Sequence, residues 1–191
     1  MSAQEALRKS AKRLFSKKGY KKTNVSDITK NAELATGTFY NYYASKAELF
    51  MALFMEENMT LKRQIMEQVD LKEKPLKVMK ALMTLNLIGM QSNPILREWY
   101  NPDTCGKLER YFKQKRGMAL FDYLYGDFLD IITEWQEKGE IRQDIEPKMI
   151  MAFFVSIINM DTHKEEIGVQ FFPELIDYMA EFAMKGLMIE D

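Results

Sequence analysis

Residues 23–50, TNVSDITKNAELATGTFYNYYASKAELF, decide the fold of this chain. Val25, Ile28 and Ala32 recur at a spacing that places them on one face of a short helix. Thr23 or Asn24 stands where its cap is needed. Glu33-Leu34-Ala35 breaks the pattern and reads as a tight turn. A second short helix starts near Thr36 and turns Phe39 and Tyr43 inward. Ser45, with Glu48 three residues later, is a capping box opening a third and longer helix.

Helical periodicity continues on both sides. Upstream, Leu7, Ala11, Leu14 and Phe15 form an i, i+4, i+7, i+8 stripe, and Gly19 is placed to end that helix in a left-handed conformation. Downstream, the helix from Ser45 runs to about Val69, before the charged break LKEKP. Pro75 suits the first turn of the next helix, which reaches about Gln91. A short helix covers Ile95 to Tyr100. Another begins around Asn101-Pro102-Asp103 and bends at Gly106 or Gly117 on its way to Lys138, where Gly139 stops it. Pro147 to about Lys164 and Pro173 to about Met188 complete an all-α chain. No segment alternates as a strand does, and no internal repeat occurs.

Composition narrows the class. The chain has 191 residues, 47% of them hydrophobic, with five prolines and nine glycines, enough apolar material for a substantial core. Its one cysteine, Cys105, excludes an internal disulfide and offers no zinc framework. The opening MSAQEALRKSAKRLF lacks the apolar centre of a secretory signal. No run approaches the ~18 apolar residues of a membrane span. A soluble cytoplasmic protein without membrane contact is expected.

Charge is distributed unevenly. Residues 1–50 hold ten bases and four acids, a balance of +6, against 17 bases and 24 acids in the remainder, a balance of −7. A net charge of −1 therefore hides two ends of opposite sign, and the basic end fits a polyanion. In a helix-turn-helix the second helix lies in the DNA major groove, so its start needs small or polar residues and its flanks need phosphate donors. Thr36-Gly37-Thr38 meets the first need. Tyr40 and Tyr42, pointing away from the Phe39/Tyr43 face, meet the second, and Lys46 follows at the start of the next helix.

The segment VSDITKNAELATGTFYNYYASKAELF resembles the DNA-binding signature of the Tet repressor (TetR) family, with Gly37, Thr38, Phe39, Tyr40, Tyr42, Ser45, Lys46 and Leu49 in register. The likeness covers roughly the first fifty residues, including the lead-in AKRLFSKKGYKKTNV. It implies a three-helix DNA-binding domain over residues 1–46, with its motif at about 24–43. A larger helical ligand-binding and dimerisation domain would occupy residues 47–191. It further implies a homodimeric repressor that leaves a palindromic operator on double-stranded DNA when a small effector binds. By that resemblance Thr38, Tyr42 and Lys46 contact phosphates, and Thr36, Gly37 and Tyr40 approach base edges, with Ser26 added from the preceding helix. Two positions depart from the family pattern. Glu33 stands where the turn usually has glycine. Ala35 stands where a serine commonly caps the recognition helix, so that either Thr36 takes over the cap or the helix starts less firmly.

Beyond residue 50 the physical reading carries more. MIMAFFVSIINM, residues 149–160, is apolar on nearly all sides and must be covered on nearly all sides. The last helix shows a stripe at Leu175, Met179, Phe182, Ala183 and Gly186. Together they form an expected four-helix dimer interface with Phe154, Ile157, Ile158, Leu175, Met179, Phe182 and Gly186 at its seam. The bland alternative is that these helices bury one another within a monomer. The helices from Pro75 to Lys138 would hold the effector pocket, with Met83, Leu87, Met90, Trp99, Tyr100, Phe112, Phe121, Tyr125 and Phe154 as lining. Fifteen methionines give adaptable apolar walls, suited to a hydrophobic or amphipathic ligand.

Catalysis and metal binding find little support. His163 is the only histidine, and one imidazole near Asp161, Glu165 and Glu166 is a weak ligand set. Cys105 has no histidine near it in sequence. No phosphate-binding glycine loop or nucleophile elbow occurs. No enzyme, cofactor or metal site is expected. The competing readings are a helical protein-interaction module without specific DNA binding and, less favoured, a small-molecule enzyme.

Overall fold

A computed structural model describes residues 1–101, 104, 106, 110 and 117–189, the side chains of 117–124 excepted. Apart from one isolated bridge between Ile141 and Met188, the described residues are helical or in turns. The principal helices are α1 (Ala3–Lys18), α2 (Val25–Asn31), α3 (Thr36–Tyr40), α4 (Lys46–Gln68) and α5 (Pro75–Ser92). They are followed by α6 (Gly117–Glu137), α7 (Pro147–Asn159), α8 (Lys164–Ile167) and α9 (Glu174–Leu187). A 3-10 turn spans Leu96–Tyr100.

The chain divides into two compact units, one of residues 1–61 with 90–117 and the other of residues 62–89 with 118–191. This differs from the boundary at 46/47 expected from the sequence. Packing explains the difference. Leu7, Ala11 and Phe15 of α1, Ile28 of α2 and Phe39 of α3 share a core with Leu49, Phe50 and Leu53 of α4, and Ile95 and Leu96 complete it. Phe15 meets Phe50 edge-on at 5.3 Å, and Tyr20 meets Phe50 at 4.9 Å. Edge-on pairs of this kind each add about 0.5–1.5 kcal/mol beyond the area they bury.

Local chemistry sets the helix ends here. Ser2 and Glu5 form a reciprocal capping box at α1. Gly19 ends that helix at φ 82°, a conformation that favours glycine, and a Cβ there would lie 2.9 Å from Glu98 Oε1. The Glu98 carboxylate accepts the Tyr20 backbone N–H at 2.9 Å. On the other side of the same turn, the Lys46 ammonium donates to the Tyr20 and Thr23 carbonyls at 2.8 and 2.7 Å.

The second unit buries Val78, Met79, Met83, Ile132, Trp135, Phe154 and Met184 in one core. Helix α7 ends at Asn159 rather than running on to Lys164, and a 3-10 turn, Met160–His163, intervenes. The Thr162 hydroxyl takes the Asn159 carbonyl at 2.7 Å, the side-chain competition that breaks helices. Helix α9 turns Ile176, Ala180, Met184 and Leu187 inward at i, i+4, i+8 and i+11.

Candidate nucleic-acid interface and cavity

The turn between α2 and α3 keeps a left-handed residue, and that residue is Glu33, at φ 58°. Leu34 N–H still reaches the Thr29 carbonyl at 2.9 Å. A glycine would hold this conformation without the steric cost of a Cβ, about 1 kcal/mol. Ala35 is the N-cap of α3 and supplies no side-chain bond. The Thr36 hydroxyl lies 3.4 Å from that of Thr29, so Thr36 does not replace the missing cap. Packing and bracing hold the short helix instead. Phe39 is fully buried. The Asn31 amide donates to Ser10 Oγ at 2.8 Å, and Ser10 Oγ donates to the Ile28 carbonyl at 2.7 Å, tying α1 to α2.

On this platform Ser26, Thr36, Gly37, Tyr40 and Tyr42 are exposed and Thr38 is half-buried. Tyr40 is 58% and Tyr42 43% exposed, high for aromatic side chains in a packed domain. A Cβ on Gly37 would meet nothing within 4 Å, and its φ is not positive. Neither packing nor backbone geometry therefore explains a glycine that costs a helix about 1 kcal/mol relative to alanine. What it provides is a bare backbone on the outer surface.

Lys46 makes contacts inside the fold. Its ammonium bonds the two carbonyls of the α1–α2 turn and lies 4.2 Å from the centre of the Tyr20 ring. The side chain expected on a phosphate is thus also a clamp within the fold.

The basic end is also less positive than a count to residue 50 indicates. Glu56 and Glu57 of α4 pair with Arg8 and Lys12. Lys18 pairs with Asp27 at 2.7 Å, and this bond, helped by the Asn24 N–H, holds the Asp27 carboxyl below its usual range. Lys9, Arg13, Lys17 and Lys22 are exposed and, among the described residues, make no ion pair. These bases can meet a phosphate backbone without first breaking an internal bond.

Residues 7–53 match the sequence profile of the bacterial regulatory proteins of the tetR family. Its N-terminal region therefore carries the DNA-binding domain of that family. It is 29% identical over 152 residues to the fatty acid metabolism regulator protein of Bacillus subtilis strain 168, covering 76% of this chain and 74% of that protein. It is 24% identical over 144 residues to the HTH-type transcriptional repressor DhaR of Mycobacterium sp. strain GP1, covering 75% and 72%. Among solved structures, RolR in complex with resorcinol shares the fold, with a TM-score of 0.71, 15% identity and coverage of 98% of this chain and 88% of that one. The matched domain is that of bacterial regulatory proteins, and both curated relatives are named as regulators.

The second unit holds a small apolar cavity of about 70 Å³ that opens to solvent. Of the residues expected to line a pocket, Met83, Tyr125 and Phe154 do so. Leu87 lies in the core of the same unit. Met90, Trp99 and Tyr100 pack in the core of the first unit, because the chain from residue 90 onward returns there. Phe112 and the side chain of Phe121 lie outside the described residues.

Sequence reasoning missed the cavity's polar members, Lys62, Asn86 and Asp127. The Lys62 ammonium lies 4.0 Å from the centre of the Tyr125 ring. Burial lowers Lys62 to about 8, opposed by the charge of Asp127, and burial pushes Tyr125 up to about 12. The signal was available: Lys62 falls in line with Asn58, Ile65 and Val69 at helical spacing, a lysine on an inward stripe.

The residues assigned to a dimer seam separate. Phe154 and Ile157 are buried in the unit's own core. Ile158, Leu175 and Met179 are half-buried. Phe182 and Gly186 are exposed, and with Met149 and Phe153 they line an apolar groove between α7 and α9. Phe153 is 52%, Met149 64% and Phe182 66% exposed. Because α7 is apolar all round, its periodicity cannot say which side faces out, and Phe153 rather than Phe154 is the exposed one.

Among the described residues no group of three or more His, Cys, Asp or Glu could hold a metal ion. Asp161 is buried beside Lys164, while exposed His163 faces Glu166 at 3.4 Å. Cys105 lies outside the described residues.

Proposed function

We propose that this regulator is a homodimeric repressor of a palindromic operator, released when a small apolar or amphipathic molecule enters the cavity of the second unit. The observation that carries the DNA half is Gly37. It is a helical glycine that nothing inside the domain requires, flanked by exposed Thr36, Tyr40 and Tyr42 on a braced helix. A bare backbone with hydroxyls around it suits the edge of a base pair and the phosphates beside it. Thr36, Gly37 and Tyr40 then approach bases, Thr38 and Tyr42 hold phosphates, and Ser26 faces the groove edge.

The groove between α7 and α9 supports the dimer. Met149, Phe153 and Phe182 are more exposed than large apolar side chains usually are, and a two-fold copy would cover them with its own. Two such subunits present two recognition helices, and half-sites about 34–36 Å apart follow. Effector control is a population shift, which requires the ligand to bind one state better than the other. Helix α4 contributes residues to both units. No helix among the described residues is long and apolar enough to cross a membrane, and the reading places the protein with DNA in the cytoplasm.

Selection of bound sequences from random duplexes tests the reading, followed by affinity measurements on the winner. A palindromic consensus is expected. Tyr42→Ala should weaken binding about tenfold on every sequence, whereas Tyr40→Ala should also relax the preference at one position. Protein that enriches no sequence, even in dilute salt, would overturn it.

A further inference from the structure

The cavity of the second unit is walled by apolar side chains, Ile65, Met79, Met83, Phe128 and Phe154 among them. Into this surface projects one cation. The Lys62 ammonium rests on the face of the Tyr125 ring and makes no hydrogen bond to any described residue. A ring face attracts the charge but accepts none of the three N–H donors. Asp127 lines the same cavity, is exposed, and forms no ion pair with Lys62. A lysine would not be kept in such a place for packing, since methionine fills the same volume without a buried charge.

We propose that the cavity takes an amphipathic anion, an apolar body with a single carboxylate or phenolate head, and that Lys62 recognises the head through its Nζ donors. This rests on reading the cavity as the effector site and narrows the ligand class. Tyr125 stays neutral throughout the physiological range, so it does not repel an anion, and the Asn86 amide is the second donor at hand. Lys62, lowered to about 8 in the empty cavity, is still mostly protonated at neutral pH, and a bound anion would raise it. Asp127 disfavours heads with more than one negative charge.

Calorimetry with the full-length protein distinguishes the possibilities, using decanoate, decanol and decylamine as probes. Decanoate should bind at least about tenfold tighter than decanol. Lys62→Met should remove that advantage while leaving decanol as tight or tighter, and Lys62→Arg should retain it. A thermal melt confirms that each variant folds. Preference for decylamine would assign the head group to Asp127 and overturn the proposal. Equal binding of the three, insensitivity to Lys62→Met, or no binding of any probe would do the same. Affinity for the selected operator, measured without ligand on the same preparations, tests the regulator reading separately. Protein that prefers decanoate but ignores the operator keeps the cavity assignment and loses the repressor, and the reverse result loses only the head group.

Discussion

Helix α4 carries two inward-turned lysines, sixteen positions apart, in different surroundings. The Lys46 ammonium meets two carbonyls of the α1–α2 turn and the face of Tyr20. Lys62 rests on the ring of Tyr125 in a mostly apolar cavity, with Asn86 and Asp127 in its lining, and makes no hydrogen bond among the described residues. The same side chain on the same helix is thus a fastener in one region and an unanswered donor in the other. The difference teaches that a half-buried cation is informative chiefly through its acceptors. Where the fold supplies them, the residue explains the fold; where it does not, something outside the fold must.

The largest test of this contrast is Lys46→Met. It removes two charge-assisted bonds and leaves two carbonyls without their donor, so stability should fall by about 2–3 kcal/mol. Urea unfolding measures it, and a change within error would show that the clamp is ornamental. Lys62→Met should act in the opposite direction, raising the unfolding midpoint by on the order of 1 kcal/mol at neutral pH, because a desolvated charge disappears. The pH dependence sharpens that comparison. Lys62 titrates near 8 in the folded chain and near 10.5 when unfolded, so between those values the unfolded chain holds the extra proton. Wild-type stability from this group therefore rises with pH across that window, and the gap to Lys62→Met should close. A gap that stays constant from pH 7 to pH 10 would refute the burial of the charge.

Two backbone positions repeat the contrast at smaller scale. Glu33 occupies a left-handed conformation that glycine would hold more cheaply, and Glu33→Gly should stabilise the protein by about 1 kcal/mol. Gly37 is a glycine that no internal feature requires. Gly37→Ala should raise the melting temperature slightly, by about 0.5–1 kcal/mol in stability, yet weaken operator binding. If affinity rises along with stability, the bare backbone has no role at the groove.

Much of this was legible in the sequence, and for specific reasons. Periodicity located the helices because Leu7, Ala11 and Phe15, or Ile28 and Phe39, leave no second way to face a core. The departure at Glu33 was legible because a turn of that geometry needs a left-handed residue whichever side chain occupies it. What stayed hidden depended on contacts distant in sequence. Nothing near Lys46 announces that its ammonium meets the carbonyls of Tyr20 and Thr23. The return of residues 90–101 to the first unit, which removed Met90, Trp99 and Tyr100 from the cavity, is likewise invisible in local pattern. Helix α7 defeated phase assignment because Phe153 and Phe154 are chemically alike and only the fold decides which is outside.

The hold of Glu98 on Tyr20 has a practical consequence for protein engineering. Chimaeras that exchange a regulator's headpiece at residue 46 would sever the bond between Tyr20 N–H and Glu98, and would strip Ile95 and Leu96 from the aromatic cluster they cover. Gly19 would lose the carboxylate against which it is shaped. A graft that keeps its grip on DNA has to carry residues 93–101 along with the first sixty residues, as a discontinuous transplant rather than a simple swap.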